Sequence, residues 1–154
     1  SSDLSRFGFS DVLTMFLALN ASVELYKGGV VPLAEYAQRP YDRDILVRVI
    51  VPKENARFVY QSVRNSQTDF PVLTCAAAKL ADGSIRAVIG ARPGKAVLYT
   101  AAPEAGETAE EFAARFAAEV KADIKTESNL RGGAEYRRHL AGVLTKRAVC
   151  RLEG

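Results

Sequence analysis

The chain has 154 residues, 48% of them hydrophobic and 25% charged, with a formal net charge of +3. That is the composition of a globular protein with one good core or two small ones sharing an interface, and no apolar run approaches the ~20 residues a membrane-spanning helix needs. The two cysteines, Cys75 and Cys150, have no CxxC companions, which excludes an iron–sulfur cluster or a structural zinc site built from this chain alone and suits a reducing cytoplasm.

In chain order, residues 11–19 (DVLTMFLAL) are apolar on most sides after Ser10-Asp11 and predict a short buried helix with an N-cap. Residues 21–26 and 30–33 flank Lys27-Gly28-Gly29, where glycines that accept positive φ between two β-prone runs predict a hairpin. The strongest strand signal is residues 45–51 (ILVRVIV), β-branched and stopped by Pro52. Strict alternation would put Ile45, Val47, Val49 and Val51 on one face and Leu46, Arg48 and Ile50 on the other. The polar stretch from Pro52 to Asn55 is the best candidate for a boundary between subdomains. Residues 57–64, 72–80 and 84–89 then read as an antiparallel meander, the last two joined by Asp82-Gly83, a pair suited to a type I′ turn. GARPG (residues 90–94) breaks the pattern, and residues 96–100 predict one more strand.

Thr108 precedes Glu111 by three residues, a capping box, and opens a helix with Ala109, Ala113, Phe116, Ala117, Val120 and Ile124 on one side. A last helix begins near Gly133 and runs toward Leu152, with Tyr136, Leu140, Val143, Leu144 and Ala148 as its expected apolar stripe. Two amphipathic helices after a small antiparallel sheet make the fold α+β rather than a doubly wound parallel sheet.

The charge excess lies in the final segment. From Thr126 onward Arg131, Arg137, Arg138, Lys146, Arg147 and Arg151 face only Glu127, Glu135 and Glu153, while the remainder balances. A nucleic-acid helix would line its cations along one face for a row of phosphates. At about 100° per residue from Tyr136, the cations instead scatter around the helix, with Arg147 and Arg151 falling inside the expected apolar stripe, and no aromatic platform is interleaved with them. Nucleic acid is therefore not the expected partner. Gly132-Gly133 could cradle an anion, but a loop-to-helix junction needs that freedom without any ligand. There is no GxGxxG after a strand and no GxxxxGK[ST]. His139 is the sole histidine and reads as a helix-surface residue, Ser10 and Cys75 lack an evident base, and Glu110-Glu111 are acids placed at a helix start. No catalytic residue or metal ligand is expected from the residues themselves, and the chain does not look like a complete enzyme.

Four pieces in one order, FSDVLTMFLALNASVEL (residues 9–25), DILVRVIVP (44–52), VRNSQTDFPVLTCAAA (63–78) and SNLRGGAEYRRHLAGVLTKRAV (128–149), together resemble the flavoprotein (medium) subunits of molybdenum hydroxylases, the family of carbon monoxide dehydrogenase and xanthine dehydrogenase. The resemblance implies an FAD-binding component that takes electrons from iron–sulfur clusters in one partner subunit and passes them to NAD or another acceptor, while molybdopterin chemistry proceeds on a second partner. It also implies a division into residues 1–53, the later part of an FAD-binding subdomain, and residues 54–154, the family's C-terminal domain. Carried over by position, Ser10-Asp11 match the Ser-Asp that touches the ribityl and pyrophosphate region of FAD, and Leu46 matches an apolar residue near the isoalloxazine ring. For Ser10-Asp11 the plainer role of N-cap is compatible with this one, whereas for Leu46 plain sheet core stands as an equal alternative. Where members often carry a lysine near the flavin this chain has Gln61-Ser62.

With Ser1 in front, Met15 as the sole methionine and no secretory signal visible, the chain is expected to be a piece of a longer one, beginning after the first FAD lobe and its glycine-rich phosphate loops. Little FAD retention by the isolated chain follows. The competing expectation is a non-enzymatic interaction or assembly module that docks the iron–sulfur and molybdenum subunits.

Overall fold

A computed structural model describes residues 10–40, 43–53 and 56–154, apart from the side chain of Asp11; the expected boundary at Pro52 to Asn55 lies partly outside them. Helix α1 (Asp11–Ala18) leads into strands β1 (Ser22–Leu25) and β2 (Gly29–Pro32), a single turn α2 (Leu33–Tyr36), and strand β3 (Leu46–Ile50). Strands β4 (Arg57–Val63), β5 (Leu73–Lys79), β6 (Ile85–Gly90) and β7 (Val97–Ala101) follow, and helices α3 (Ala109–Asp123) and α4 (Ala134–Glu153) close the chain. The strands form two antiparallel sheets, one ordered β2-β1-β3 and the other β4-β5-β6-β7, so the fold is α+β.

The larger sheet is covered on both faces. Leu73, Cys75 and Ala77 of β5 and Ile85, Ala87 and Ile89 of β6 point into a core shared with Phe112, Phe116 and Val120 of α3 and Leu140, Leu144 and Ala148 of α4. Ala76 and Val88 point the other way, into a second core with Leu13 and Leu17 of α1, Val23, Leu25 and Val31 of the smaller sheet, and Leu33. The Thr74-Cys75-Ala76-Ala77-Ala78 run reads as continuously buried because both of its faces are inside, and its small side chains let helices approach from both sides.

Helix α3 forms as expected. Thr108 accepts the Glu111 N–H at 3.3 Å while the Glu111 carboxylate accepts from the Thr108 N–H at 2.9 Å, and Phe112 and Phe116 stack with ring centroids 5.9 Å apart. Arg115 fixes the approach to this helix by donating to Glu107, Glu119 and the Ala102 carbonyl.

The structure departs from the sequence patterns at three places. Strand β3 carries a bulge: Glu24 pairs with Arg48 but Leu25 with Leu46, leaving Val47 extra. The alternation is reset there, so Leu46 and Val49 share the inner face while Val47 and Arg48 turn outward. The turn at Asp82-Gly83 is not type I′, which needs positive φ at both central residues; only Gly83 has it (φ 84°), and Leu80 and Ser84 close a three-residue loop in which the Gly83 N–H reaches the Leu80 carbonyl at 3.0 Å. In α4 the buried face centres on Arg137, Ala141, Leu144 and Ala148, about a quarter turn from the expected stripe, leaving Tyr136 49% exposed and Arg147 and Arg151 in solvent.

Candidate functional site

Ser10 is the N-cap of α1. Its extended backbone (φ −159°, ψ 115°) lets Oγ accept the Leu13 N–H at 3.0 Å, satisfying one of the donors that a helix start leaves over. One turn on, Thr14 donates to the Ser10 carbonyl at 3.3 Å, and its Oγ1 lies 3.3 Å from Thr74 Oγ1 on β5, both side chains buried. With the Thr14 proton on Ser10, Thr74 is the donor of that second bond. Gly90 on β6 makes the approach possible, since a Cβ there would fall 2.1 Å from Thr14 Oγ1 and 2.6 Å from Thr74 Oγ1. The helix start is thus held against the larger sheet by two hydroxyls and one missing methyl group.

Asp11 begins the helix, and its side chain lies outside the described residues. Leu46 pairs with Leu25 across the bulge and is half-buried at the rim of the same core that holds Leu13 and Leu17. Helix α1, which Ser10 caps, and Leu46 meet in that core, and no hydrogen bond among the described residues joins Ser10 to Leu46. Gln61 turns toward α4, where its amide donates to the Leu144 carbonyl at 3.4 Å.

Two glycine pairs that could have cradled an external anion are filled from within. In the hairpin turn the Lys27 and Gly28 N–H groups donate to the Asp44 carboxylate at 3.0 and 2.8 Å, and the Ile45 N–H adds a bond at 2.8 Å. Desolvation raises the Asp44 pKa, but these N–H bonds outweigh it and leave the carboxyl below the ordinary range. At Gly132-Gly133 the Gly132 N–H donates to the Asn129 carbonyl at 3.2 Å, and the Ala134 N–H at the start of α4 donates to Ser128 Oγ at 2.9 Å.

Sequence reasoning missed Arg137, counted there among scattered cations. It is fully buried, and its guanidinium donates to the carbonyls of Val72 (2.9 Å), Glu127 (2.6 Å) and Gly132 (2.5 Å) and to Asn129 Oδ1. Burial, and to a lesser degree the charge of Arg131, depress its pKa, yet guanidinium stays charged in proteins. Its partners are loop carbonyls, so it acts as a tie between β5, the loop of residues 126–133 and α4. The only signal in the sequence was its position beside Tyr136, which periodicity assigned to the wrong face.

Next to this tie, a cavity of about 220 Å³ is lined by Phe70, Pro71, Ala91, Pro93, Asn129 and Arg131. Ala91 holds a left-handed backbone (φ 57°), kept there by Arg92, which donates to the Lys95 and Lys125 carbonyls at 2.6 Å while its own carbonyl accepts from the Glu127 N–H at 2.9 Å. Arg131 stacks over Phe70 at 5.2 Å and donates to Asp69 at 3.0 Å, which holds the Asp69 carboxyl below its ordinary range. The polar groups around the cavity are spent on one another. Cys75 is sealed in the core, where burial pushes its thiol up to about 12. Among the described residues no group of three or more His, Cys, Asp or Glu is placed to hold a metal, and no helix is long and apolar enough to cross a membrane.

The family of the CO dehydrogenase flavoprotein C-terminal domain matches residues 58–152. No curated protein sequence matches the chain. Among solved structures, quinoline 2-oxidoreductase from Pseudomonas putida 86 is 18% identical with a TM-score of 0.76, covering 99% of this chain and 59% of its own. Carbon monoxide dehydrogenase from Hydrogenophaga pseudoflava, in a form lacking the Mo-pyranopterin moiety, is 21% identical with a TM-score of 0.77 over 95% of this chain and 57% of its own. Reconstituted CO dehydrogenase from Oligotropha carboxidovorans is 20% identical with a TM-score of 0.78 over 99% and 58%. At these identities the likeness is one of fold, and this chain spans less than three-fifths of each of those chains. The match over residues 58–152, with the larger sheet and both closing helices inside it, establishes that the chain belongs to the CO dehydrogenase flavoprotein C-terminal domain family, a domain of the flavoprotein subunits of molybdenum hydroxylases.

Proposed function

We propose that this chain works as part of the FAD-binding subunit of a cytoplasmic molybdenum hydroxylase. In this reading FAD takes electrons from iron–sulfur clusters on one partner subunit and hands them to an acceptor such as NAD, while substrate is oxidised at molybdopterin on another. The observation that carries it is the family match over residues 58–152, joined to a fold held in common with a CO dehydrogenase chain along 99% of this one. Residues 1–53 are assigned to the later part of the FAD-binding subdomain and residues 54–154 to the C-terminal domain.

The side chains fit one portion of FAD. Ser10 Oγ spends an acceptor on Leu13 and keeps its proton for a ribityl or phosphate oxygen, at the positive end of α1. Leu46 is apolar and half-buried, as a residue against a flavin ring should be. Asp11 is assigned to the flavin-side hydroxyls by its place beside Ser10. What does not fit is a grip on the pyrophosphate: the hairpin and Gly132-Gly133 cradles already hold Asp44 and loop groups. FAD supplies the redox chemistry; this chain positions one side of it.

Titrating the purified chain with FAD and following flavin fluorescence tests the reading. Weak quenching is expected, further weakened by Ser10→Ala and by Leu46→Asp in variants whose circular dichroism shows them folded, with the sample colourless as purified. Quenching indifferent to both substitutions, or a yellow protein with near-stoichiometric flavin, overturns it.

A further inference from the structure

Helix α4 buries one face against the larger sheet and a second against α3, where Gly142 meets Lys121 and Ala117 so closely that a Cβ would lie 3.3 Å from Lys121 Cβ and 3.4 Å from the Ala117 carbonyl. Its third face is open. Along it runs a groove in two connected stretches that share Val143 and Lys146. One, of about 210 Å³, lies between the helices and includes Ala118, Lys121, His139 and Gly142; the other, of about 410 Å³, continues past Arg147, Cys150 and Arg151. From His139 to Arg151 the groove extends about 18 Å at the helical rise.

Its apolar lining is Ala117, Ala118, Val143 and Cys150 together with the methylene stems of the basic side chains, and its rim is cationic. No carboxylate lines either stretch. Among the described residues the side chains of Lys121, His139, Lys146, Arg147 and Arg151 make no ion pair or hydrogen bond, whereas Arg39, Arg48, Lys79, Arg115 and Arg131 all have carboxylate partners. Four fixed positive charges therefore border an apolar strip that no carboxylate of the chain lines.

We propose that this groove docks an acidic amphipathic helix of a partner protein, its apolar residues on Val143 and Ala118 and along the side-chain stems of the rim, and its carboxylates against Lys121, Lys146, Arg147 and Arg151. The charge pattern selects the occupant. A second copy of this chain would bring cations against cations, and a nucleic acid would find cations but no aromatic surface for its bases and would leave the apolar lining in contact with sugar and phosphate. The assignment concerns a surface remote from Ser10 and Leu46 in sequence and does not depend on the flavin reading.

The probe is a fluorescent helical peptide of about 18 residues with leucines at i, i+3, i+4 and i+7 spacing and glutamates on both flanks, titrated against the full chain by anisotropy. Comparators are the same peptide with Gln for every Glu, one with Lys for every Glu, and a single-stranded oligodeoxynucleotide. The Glu peptide should bind about tenfold or more tighter than the Gln peptide and the oligonucleotide, and should slow alkylation of Cys150, the exposed thiol in the groove. The double variant Lys146→Glu/Arg147→Glu, altering two exposed unpaired side chains, should keep the parent melting temperature, lose about tenfold toward the Glu peptide and gain affinity for the Lys peptide. Equal binding of the Glu and Gln peptides, tighter binding of the oligonucleotide, no protection of Cys150, or a self-associated chain that the double variant dissociates would each overturn the proposal.

Discussion

Gly90→Ala tests how α1 is set against the larger sheet. The added methyl carbon would stand 2.1 Å from Thr14 Oγ1 and 2.6 Å from Thr74 Oγ1, against an ordinary nonbonded separation of about 3.5 Å, so it overlaps the two oxygens by about 1.4 and 0.9 Å. Neither can retreat along a flexible stem. Each oxygen is one bond from its own Cβ, both threonines are buried, and turning Thr14 away sacrifices its bonds to Ser10 and Thr74. Overpacking of this kind costs about 3 kcal/mol, which in a chain of this size lowers the melting temperature by about 6–12 °C. Thr14→Ala alone should cost about 1 kcal/mol for the lost hydrogen bonds. The double variant should be more stable than the sum of the two by about 1–2 kcal/mol, because one of the two clashing oxygens is gone. Thermal unfolding of all four proteins by calorimetry closes the cycle. A Gly90→Ala protein melting within about 2 °C of the parent, or strict additivity in the cycle, would refute the close packing of α1 on β6.

Arg137→Leu removes the guanidinium from the Val72, Glu127 and Gly132 carbonyls, the last of which keeps the Asn129 N–H, and should cost about 3–5 kcal/mol, read in urea as a lower midpoint at unchanged slope, with Arg137→Lys intermediate because one ammonium cannot reach every acceptor. Glu107, whose pKa the Arg115 hydrogen bond pulls down to about 2 from 4.5, contributes stability that is fully present above pH 4.5 and drains as pH falls toward 2; Glu107→Gln should therefore flatten the acid limb of a stability–pH curve, and an unchanged limb would remove the Arg115 pair from the account.

Local rules carried much of this protein. The Ser10 and Thr108 caps and both closing helices could be read from the sequence because each depends on neighbours three or four residues away, and the glycine hairpin and the small meander because β-prone runs and turn residues mark them along the chain. The order of four motifs was enough to suggest the family. What escaped the sequence depended on partners distant in it. The Val47 bulge is set by pairing with Glu24 and Leu25, and it decides that Leu46 and Val49 share a face. Asp44 fills the hairpin cradle from seventeen residues beyond Lys27. Above all, the orientation of α4 was invisible to apolar periodicity, since the residue at the centre of its buried face is an arginine, tolerable there only because Val72, Glu127, Asn129 and Gly132 converge on it. A charge can be buried when the fold assembles its acceptors from several segments, and no reading of one helix at a time can see them.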